Sequence, residues 1–422
     1  MSRCLTMHLE HKKIRDFLFR KLKEISCIQK THKLIRVFLM GITKTDFCSY
    51  CFNGIAQGCK YCVKGEKLVL FISGICKRNC YYCSLSKKRK NVDKIWANER
   101  ECIRVNDAIF EAIESNATSA GITGGDPLLR LSRTLKYASA LKKRFGKKFH
   151  IHIYLPTKFA TSYKLKKLAK YIDEVRFHPE FLSKELNEKE IEEDVDKIKT
   201  ASKIFGKENT GIELPMIPEK KREILNFILL IRDYIGFVNL NELELGDTNF
   251  NYMTSHYKLD KMGYVIKGSL DAGKWLLNEL KKHKVKLNVH LCTAELKNWH
   301  QYKNRLLRHK IMPFGKRTED GSVVYYSVYS HELKKLLRTL NGKGYLDKIG
   351  KRIIVPEYIA EKLILQGFKV KRVEEYPTFD RAEIEVVNLI NPAFQIFFLF
   401  LCWKLFFSLA RRMLFHFQWI FQ

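Results

Sequence analysis

Leu68-Val-Leu-Phe-Ile-Ser-Gly-Ile-Cys76-Lys-Arg-Asn-Cys80-Tyr-Tyr-Cys83 is the stretch of this 422-residue chain from which the rest can be read. Its apolar start has the length and composition of a buried strand, predicted over Leu68–Ser73. Ser73-Gly74 then breaks the run, and the loop beyond carries three cysteines separated by three and two residues. Three thiolates on a tight loop can each hold one iron of a [4Fe–4S] cube, leaving the fourth iron without a protein ligand. A small molecule with an amine and a carboxylate can chelate that open corner. An electron passed through the cluster can then break a sulfonium C–S bond, whereas a closed four-cysteine cluster only carries electrons. The residues alone also allow a zinc site that borrows a fourth cysteine from elsewhere.

Outward from this loop, short apolar runs alternate with longer amphipathic ones. Strands are predicted at Ser119–Thr123, Phe149–Leu155, Glu174–Phe177, Gly211–Leu214 (ending before Pro215), Glu242–Leu245 and Lys286–Leu291. Helices are predicted between them at Asn106–Ser115, Leu131–Arg144, Lys164–Tyr171, Lys184–Phe205, Ile224–Tyr234 and Lys274–Lys281, with Glu295–Arg308 after the last strand. Such alternation argues for a parallel sheet wound by right-handed crossovers. The number of units suits a full or partial (β/α) barrel over residues 68–312, in which the chemistry belongs at the C-terminal ends of the strands. From about residue 313 to 390 the pattern becomes a small α+β appendage, opened by a hairpin signal at Asp320-Gly321 before Val323–Tyr329.

Ahead of the loop, over residues 48–67, Cys48-x2-Cys51-x7-Cys59-x2-Cys62 supplies four more thiols in two knuckles. Both pairs carry the two-residue spacing of tetrahedral thiolate sites, so the reading is a closed structural zinc site, with an auxiliary iron–sulfur cluster as its rival. Seven of the twelve cysteines thus fall between Cys48 and Cys83. A chain of this size with clustered thiols and no apolar leader at its start is expected in a reducing cytoplasm.

The balance of 77 Lys and Arg against 45 Asp and Glu gives a formal charge of +32. Such a surface attracts polyanions, RNA first and an anionic membrane second. Residues 1–47 are expected to be basic and helical. The Phe-rich stretch 391–422 carries no acid and is expected to be a membrane-surface anchor, a greasy packed helix or an unstructured tail.

Two motifs, one after each of the first two barrel strands, carry a family resemblance. Cys76-x3-Cys80-x2-Cys83 with an aromatic, Tyr82, before the third cysteine resembles the hallmark of the radical S-adenosylmethionine superfamily. Gly121-Ile-Thr-Gly124-Gly125-Asp126-Pro127 is similar to its Gly-Gly-Glu-Pro motif, with Asp126 in place of the commoner Glu. More closely, the chain resembles archaeal proteins related to the pyruvate formate-lyase activating enzymes, through the cysteine pairs, the segment Ser84–Arg100 and the Gly-Gly-Asp-Pro run. The resemblance implies S-adenosylmethionine as cofactor and an electron donor such as ferredoxin or flavodoxin. It implies cofactor contacts at Tyr82, Gly124, Gly125 and Asp126, and at the later strand ends Thr157, Arg176 and Glu244. It leaves open whether the substrate is RNA, a protein or a small molecule. A zinc-knuckle nucleic-acid binder without enzymatic activity is the competing reading.

Overall fold

The computed structural model describes residues 42–390. The expected basic helices therefore fall outside the described residues, except that Ile42–Lys44 is a strand, and the Phe-rich stretch falls outside altogether. In chain order, β1 (Ile42–Lys44) and β2 (Tyr50–Phe52) pair as a hairpin, followed by α1 (Gln57–Val63) and β3 (Lys67–Phe71). A second hairpin of β4 (Ile95–Ala97) and β5 (Arg100–Cys102) precedes α2 (Val105–Glu114) and β6 (Ser119–Thr123). Then come α3 (Leu131–Phe145), β7 (His150–Pro156), α4 (Ser162–Leu168), β8 (Glu174–His178), α5 (Glu188–Phe205) and β9 (Thr210–Met216). The run continues with α6 (Lys221–Ile231), β10 (Phe237–Glu242), α7 (Phe250–His256), α8 (Ser269–Lys282) and β11 (Asn288–Cys292). The remainder is α9 (Lys303–Arg308), β12 (Lys316–Arg317), β13 (Val323–Tyr329), α10 (Leu333–Thr339), β14 (Tyr345–Asp347), β15 (Arg352–Val355), α11 (Glu357–Leu365), β16 (Lys369–Glu375) and β17 (Glu383–Leu389). Among the described residues no helix is long and apolar enough to cross a membrane.

The chain divides into two compact units, and not along the linear boundary near residue 312. The first holds the segment up to Val63, Phe71–Lys94 and Gly121–Asn298; the second holds Lys64–Leu70, Ile95–Ala120 and the segment from Trp299 onward.

In the first unit β7, β8, β9, β10 and β11 pair in parallel, in that order, and β2 adds antiparallel to β11 with β1 outside it. Side chains alternate across these strands. One face is apolar and fully buried: Ile151, Ile153, Val175, Phe177, Ile212, Leu214, Val238, Leu240, Val289 and Leu291. Helix α5 packs on β8 and β9, and α8 on β9, β10 and β11, with Gly273 pressed onto the Leu291 side chain. Each such aliphatic side chain contributes about 1.5–3 kcal/mol when fully buried. The other face is polar, carrying His152, Arg176, Glu213, Asn239 and His290 on adjacent strands, and α1 lies against it.

The second unit centres on β13, which pairs antiparallel with β15, β16 and β12, so the hairpin expected at Asp320-Gly321 is present. Its core packs Val328, Leu336, Ile353, Val355, Ile359, Leu363 and Val370.

Three elements depart from the sequence reading. Strand β9 runs through Pro215 to Met216, because its ladder with β8 stops at Ile212 and the missing N–H of Pro215 lies beyond it. The strand expected at Glu242–Leu245 is Phe237–Glu242; Val238 and Leu240 alternate with Asn239 and Asn241 at the strand period, but Asn is a poor strand former. The helix expected over Glu295–Arg308 is interrupted by a π-turn at Lys297–Tyr302.

Candidate functional site: a cysteine loop at the strand ends

Between Ile72 and Lys94 the chain has no helix or strand, so its shape must come from contacts outside itself. It is tied at three strand ends. After β6, the amides of Gly125 and Asp126 donate to the carbonyls of Ser73 (2.7 Å) and Ile75 (2.9 Å). After β8, Arg78 donates to the carbonyls of His178 (2.5 Å) and Pro179 (3.0 Å) and to the Ser183 hydroxyl (3.1 Å). After β10, the Thr248 hydroxyl donates to the carbonyls of Cys83 (2.9 Å) and Leu85 (2.8 Å), and the Asn249 amide to that of Tyr82 (3.1 Å). Asp93 closes the loop, accepting from Ser73, Arg130 and Arg133. Partial burial pushes the Asp93 carboxyl up, but these hydrogen bonds outweigh it and hold it down at about 2.

The two glycines of the Gly-Gly-Asp-Pro run are explained by this packing. A Cβ on Gly125 would sit 2.4 Å from the Ile75 carbonyl oxygen and 2.9 Å from the Cys76 Cβ; one on Gly124 would sit 2.5 Å from the Ser73 oxygen. The Asp126 carboxylate, buried, accepts the Leu128 amide at 2.9 Å and so caps the turn Pro127–Arg130.

Cys76, Cys80 and Cys83 are all partly exposed thiols on this loop, and the Cys76 sulfur accepts the Arg78 amide at 3.4 Å. The donor set fits a [4Fe–4S] cluster: three sulfurs on one supported loop, each able to bind a different iron. Tyr82 is buried, and its hydroxyl lies 2.8 Å from His178 Nε2.

The polar face runs on from there as one hydrogen-bonded chain. His178 Nδ1 donates to the Glu213 carbonyl at 2.9 Å; burial first and the Arg78 charge second push its pKa down to about 4, so the ring is neutral. The Glu213 carboxylate receives Arg176 at 2.7 Å and Asn241 at 2.9 Å. Arg176 also pairs with Glu174 at 2.7 Å. Burial opposes its charge, and the surrounding sulfur and carboxylates hold its pKa well above the ordinary value. Removing one partner would strand a buried charge, a loss of about 3–5 kcal/mol. Further along, His290 Nδ1 donates to Asn239 Oδ1 at 2.9 Å and its Nε2 meets the Ser49 hydroxyl at 3.0 Å. Of the other expected contacts, Thr157 is buried beside Asp194, and Glu244 is half-buried and paired with Lys297 at 2.6 Å.

The second cysteine set is spread over β2, the turn before it and α1. Cys51 lies on β2 opposite His290 of β11, and Cys48 precedes that strand beside Glu295. Cys59 and Cys62 lie on α1, where Gly58 has no room for a Cβ: His152, Arg176 and Glu174 would be met within 2.9 Å. The Cys59 thiol is buried, donates to Asn239 Oδ1 at 3.4 Å, receives Arg176 at 3.3 Å, and is pushed up to about 12 by burial. Among the described residues no three Cys, His, Asp or Glu side chains converge as one metal ion requires. The closed zinc site expected of these four sulfurs, which needs them at one point, is therefore not supported.

Sequence reasoning did not find Asp93, Thr248 and Asn249 as loop supports. The Asp247-Thr248-Asn249 run after a strand end is a signal that could have found the last two; Asp93 carries none.

Comparison with known proteins identifies the family. The radical SAM superfamily model matches residues 70–231. A curated protein of Methanocaldococcus jannaschii, named as a glycyl-radical enzyme activating enzyme, is 36% identical over 362 residues, covering 81% of this chain and 94% of that protein. Among solved structures, the radical S-adenosylmethionine methyltransferase TsrM from Kitasatospora setae, with tryptophan and a cofactor analogue bound, aligns with a TM-score of 0.32 at 13% identity, covering 46% of this chain and 40% of that one. The chain belongs to the radical S-adenosylmethionine superfamily, as an enzyme related to the activating enzymes of the pyruvate formate-lyase type.

Proposed function

We propose that this enzyme activates a protein partner by generating a glycyl radical in it. The observation that carries the reading is the loop of Cys76, Cys80 and Cys83, fixed by three strand ends and opening beside a polar strand face. The relative named as a glycyl-radical enzyme activating enzyme, aligned over nearly its whole length, supports the protein substrate. When bound, the cluster supplies one electron to S-adenosylmethionine, releasing methionine and the 5′-deoxyadenosyl radical that takes a hydrogen atom from the substrate.

This chain's residues bind and orient. The three thiols hold the cluster, and the backbone of Gly124 to Asp126 stands beside Cys76 where the cofactor's amino acid end would be received. Tyr82, Thr157, Arg176 and Glu244 are assigned to the rest of the cofactor's surroundings, with Arg176 acting through Glu213 and Glu174 rather than directly. The five parallel strands support a partial barrel for the first unit. An acidic electron donor such as flavodoxin or ferredoxin suits the +32 charge, as RNA would; the relative's name favours the protein reading. All of this fits a reducing cytoplasm. Cys48, Cys51, Cys59 and Cys62 are read as seating α1 on the polar face, since the Cys59 sulfur is shared between Asn239 and Arg176.

The test is anaerobic reconstitution with iron and sulfide, reduction, and measurement of methionine and 5′-deoxyadenosine. Both should form in equal amounts; no cleavage by a fully loaded, reduced enzyme would sink the reading. A glycyl-radical signal in an added partner enzyme would establish the substrate class. Cleavage that is stimulated only by RNA would replace it.

A further inference from the structure

Between the last cysteine of the loop and Asp93 the chain carries Lys87-Lys88-Arg89-Lys90. Adjacent cations repel one another, and a turn of this length does not require them. The arginines that support the loop are spent on structure: Arg78 on the carbonyls of His178 and Pro179, Arg130 and Arg133 on Asp93. Arg89 is spent too. Its guanidinium lies 5.5 Å from the centre of the Phe71 ring, and its carbonyl oxygen stands where a Cβ on Gly74 would fall, 1.7 Å away. The lysines are different. Lys87 and Lys88 are exposed, and among the described residues Lys87, Lys88 and Lys90 pair with no carboxylate.

This turn is no loose basic tail. The amides of Arg89 and Lys90 each donate to the Ser86 carbonyl at 2.9 Å. The Asn91 amide donates to the Gly74 carbonyl at 3.1 Å, and the Gly74 amide to that of Val92 at 2.8 Å. One end is therefore bonded to Gly74, just before Ile75 and Cys76. The other end is tied together with Cys83, since the Thr248 hydroxyl donates to the carbonyls of both Cys83 and Leu85, and Asp247 accepts the Lys87 amide at 3.3 Å. The lysines thus keep a fixed offset from the thiols on either side of them.

We propose that Lys87, Lys88 and Lys90 are the docking surface for an acidic one-electron carrier protein that reduces the cluster. In that step the carrier is oxidised by one electron and the cluster is reduced by the same electron, with no bond made or broken. Transfer needs the carrier's redox group close to the cluster, and a partner held by the turn that continues the ligand loop is placed there by the act of docking. Complementary charge speeds the encounter without a large buried interface, which suits a carrier that must leave once oxidised. The +32 charge is spread over the whole chain and would serve RNA anywhere. A basic turn pinned to the ligand loop serves a partner that has to face the cluster.

This inference rests on the Cys76–Cys83 loop being the cluster site, and its test separates the two. One variant combines Lys87→Glu, Lys88→Glu and Lys90→Glu. A control combines Lys203→Glu, Lys281→Glu and Lys286→Glu, exposed positions on the segments leading into β9 and β11, with the same change in net charge. Binding of an acidic flavodoxin to the loaded and unloaded proteins is measured by calorimetry over a range of salt. Cleavage of S-adenosylmethionine is measured with reduced flavodoxin and, separately, with dithionite. The first variant should bind flavodoxin at least about tenfold more weakly at low salt, with a shallower salt dependence. Its flavodoxin-driven cleavage should fall in proportion, while dithionite-driven cleavage stays at the native rate. The control should keep nearly native affinity. Native-like flavodoxin binding in the first variant overturns the proposal, as does an equal loss in the control, which would reduce the effect to net charge. Weakened binding of a single-stranded RNA with flavodoxin binding unchanged would assign the turn to RNA and overturn it too. If the first variant takes up no cluster, the affinities of the unloaded proteins still decide. A native protein that cleaves nothing with dithionite would instead refute the underlying site.

Discussion

Two sets of cysteines with similar spacing are held in different ways in the first unit. Cys76, Cys80 and Cys83 sit on a segment without regular structure, yet their sulfurs are kept partly exposed. The backbone around them carries the restraint, through Gly125, Arg78, Thr248 and Asn249. Cys51 sits on a strand and Cys59 and Cys62 on a helix; Cys51 and Cys62 are partly exposed as well, and Cys59 is the one held by its side chain. Cys59 is buried against Asn239 and Arg176. Spacing alone therefore says how far apart thiols stand along a chain, and says nothing of whether the fold leaves them available. A ligand needs its scaffold to be satisfied by other groups; a packing residue is itself the scaffold.

The largest expected effect would break the comparison outright. Replacing Cys76, Cys80 and Cys83 together by Ala should abolish bound iron and 5′-deoxyadenosine formation, while Cys59→Ala keeps full iron at a stability loss of about 1–2 kcal/mol. Iron and sulfide assays on both proteins decide it; iron retained in the triple variant would give the second set a cluster of its own.

Glycine substitutions sharpen the contrast at intermediate size. Gly125→Ala drives a methyl group into the backbone of Ile75, an overlap costing about 1–3 kcal/mol and displacing the loop, so cluster occupancy should fall several-fold. Gly58→Ala meets only side-chain tips, and should lower the melting temperature with cluster occupancy kept. Equal loss of iron in both would erase the distinction.

The smallest effect concerns Asp93. Its folded pKa of about 2 lies below the ordinary 3.8, so the carboxylate contributes stability above about pH 4 that is lost as pH falls through about 2. Asp93→Asn should flatten the pH dependence of the melting temperature in that window and leave the slope at higher pH unchanged. Thermal melts between pH 2 and 6 would show it.

Much of this was legible in the sequence. The strand Ser119–Thr123 and the loop cysteines could be placed because local apolar runs and glycines mark where a chain must turn. The alternation that puts His152 and Tyr154 on one face of their strand, and His290 and Cys292 on one face of theirs, is likewise the alternation of the folded strands, where both pairs share the polar face of the sheet. What escaped were the elements whose signal is tertiary. Asn239 and Asn241 look unlike strand residues until β9 and β11 flank them. The helix over Gln57–Val63 is too short to announce itself, and Asp93 becomes a hub only once Arg130 and Arg133 are folded beside it.

The stitching of the loop also constrains the order of events during folding. The three cysteines are neighbours along the chain, but Arg78 reaches its anchor across 100 residues and Cys83 meets Thr248 across 165. Contacts of such separation form late, after the loop-closure entropy has been overcome by the rest of the sheet. A nascent chain that has emerged only as far as β8 has all three thiols but lacks the ties from Thr248 and Asn249. The full shape of the loop is thus a finishing step, reached only once the sheet has assembled as far as Asn249.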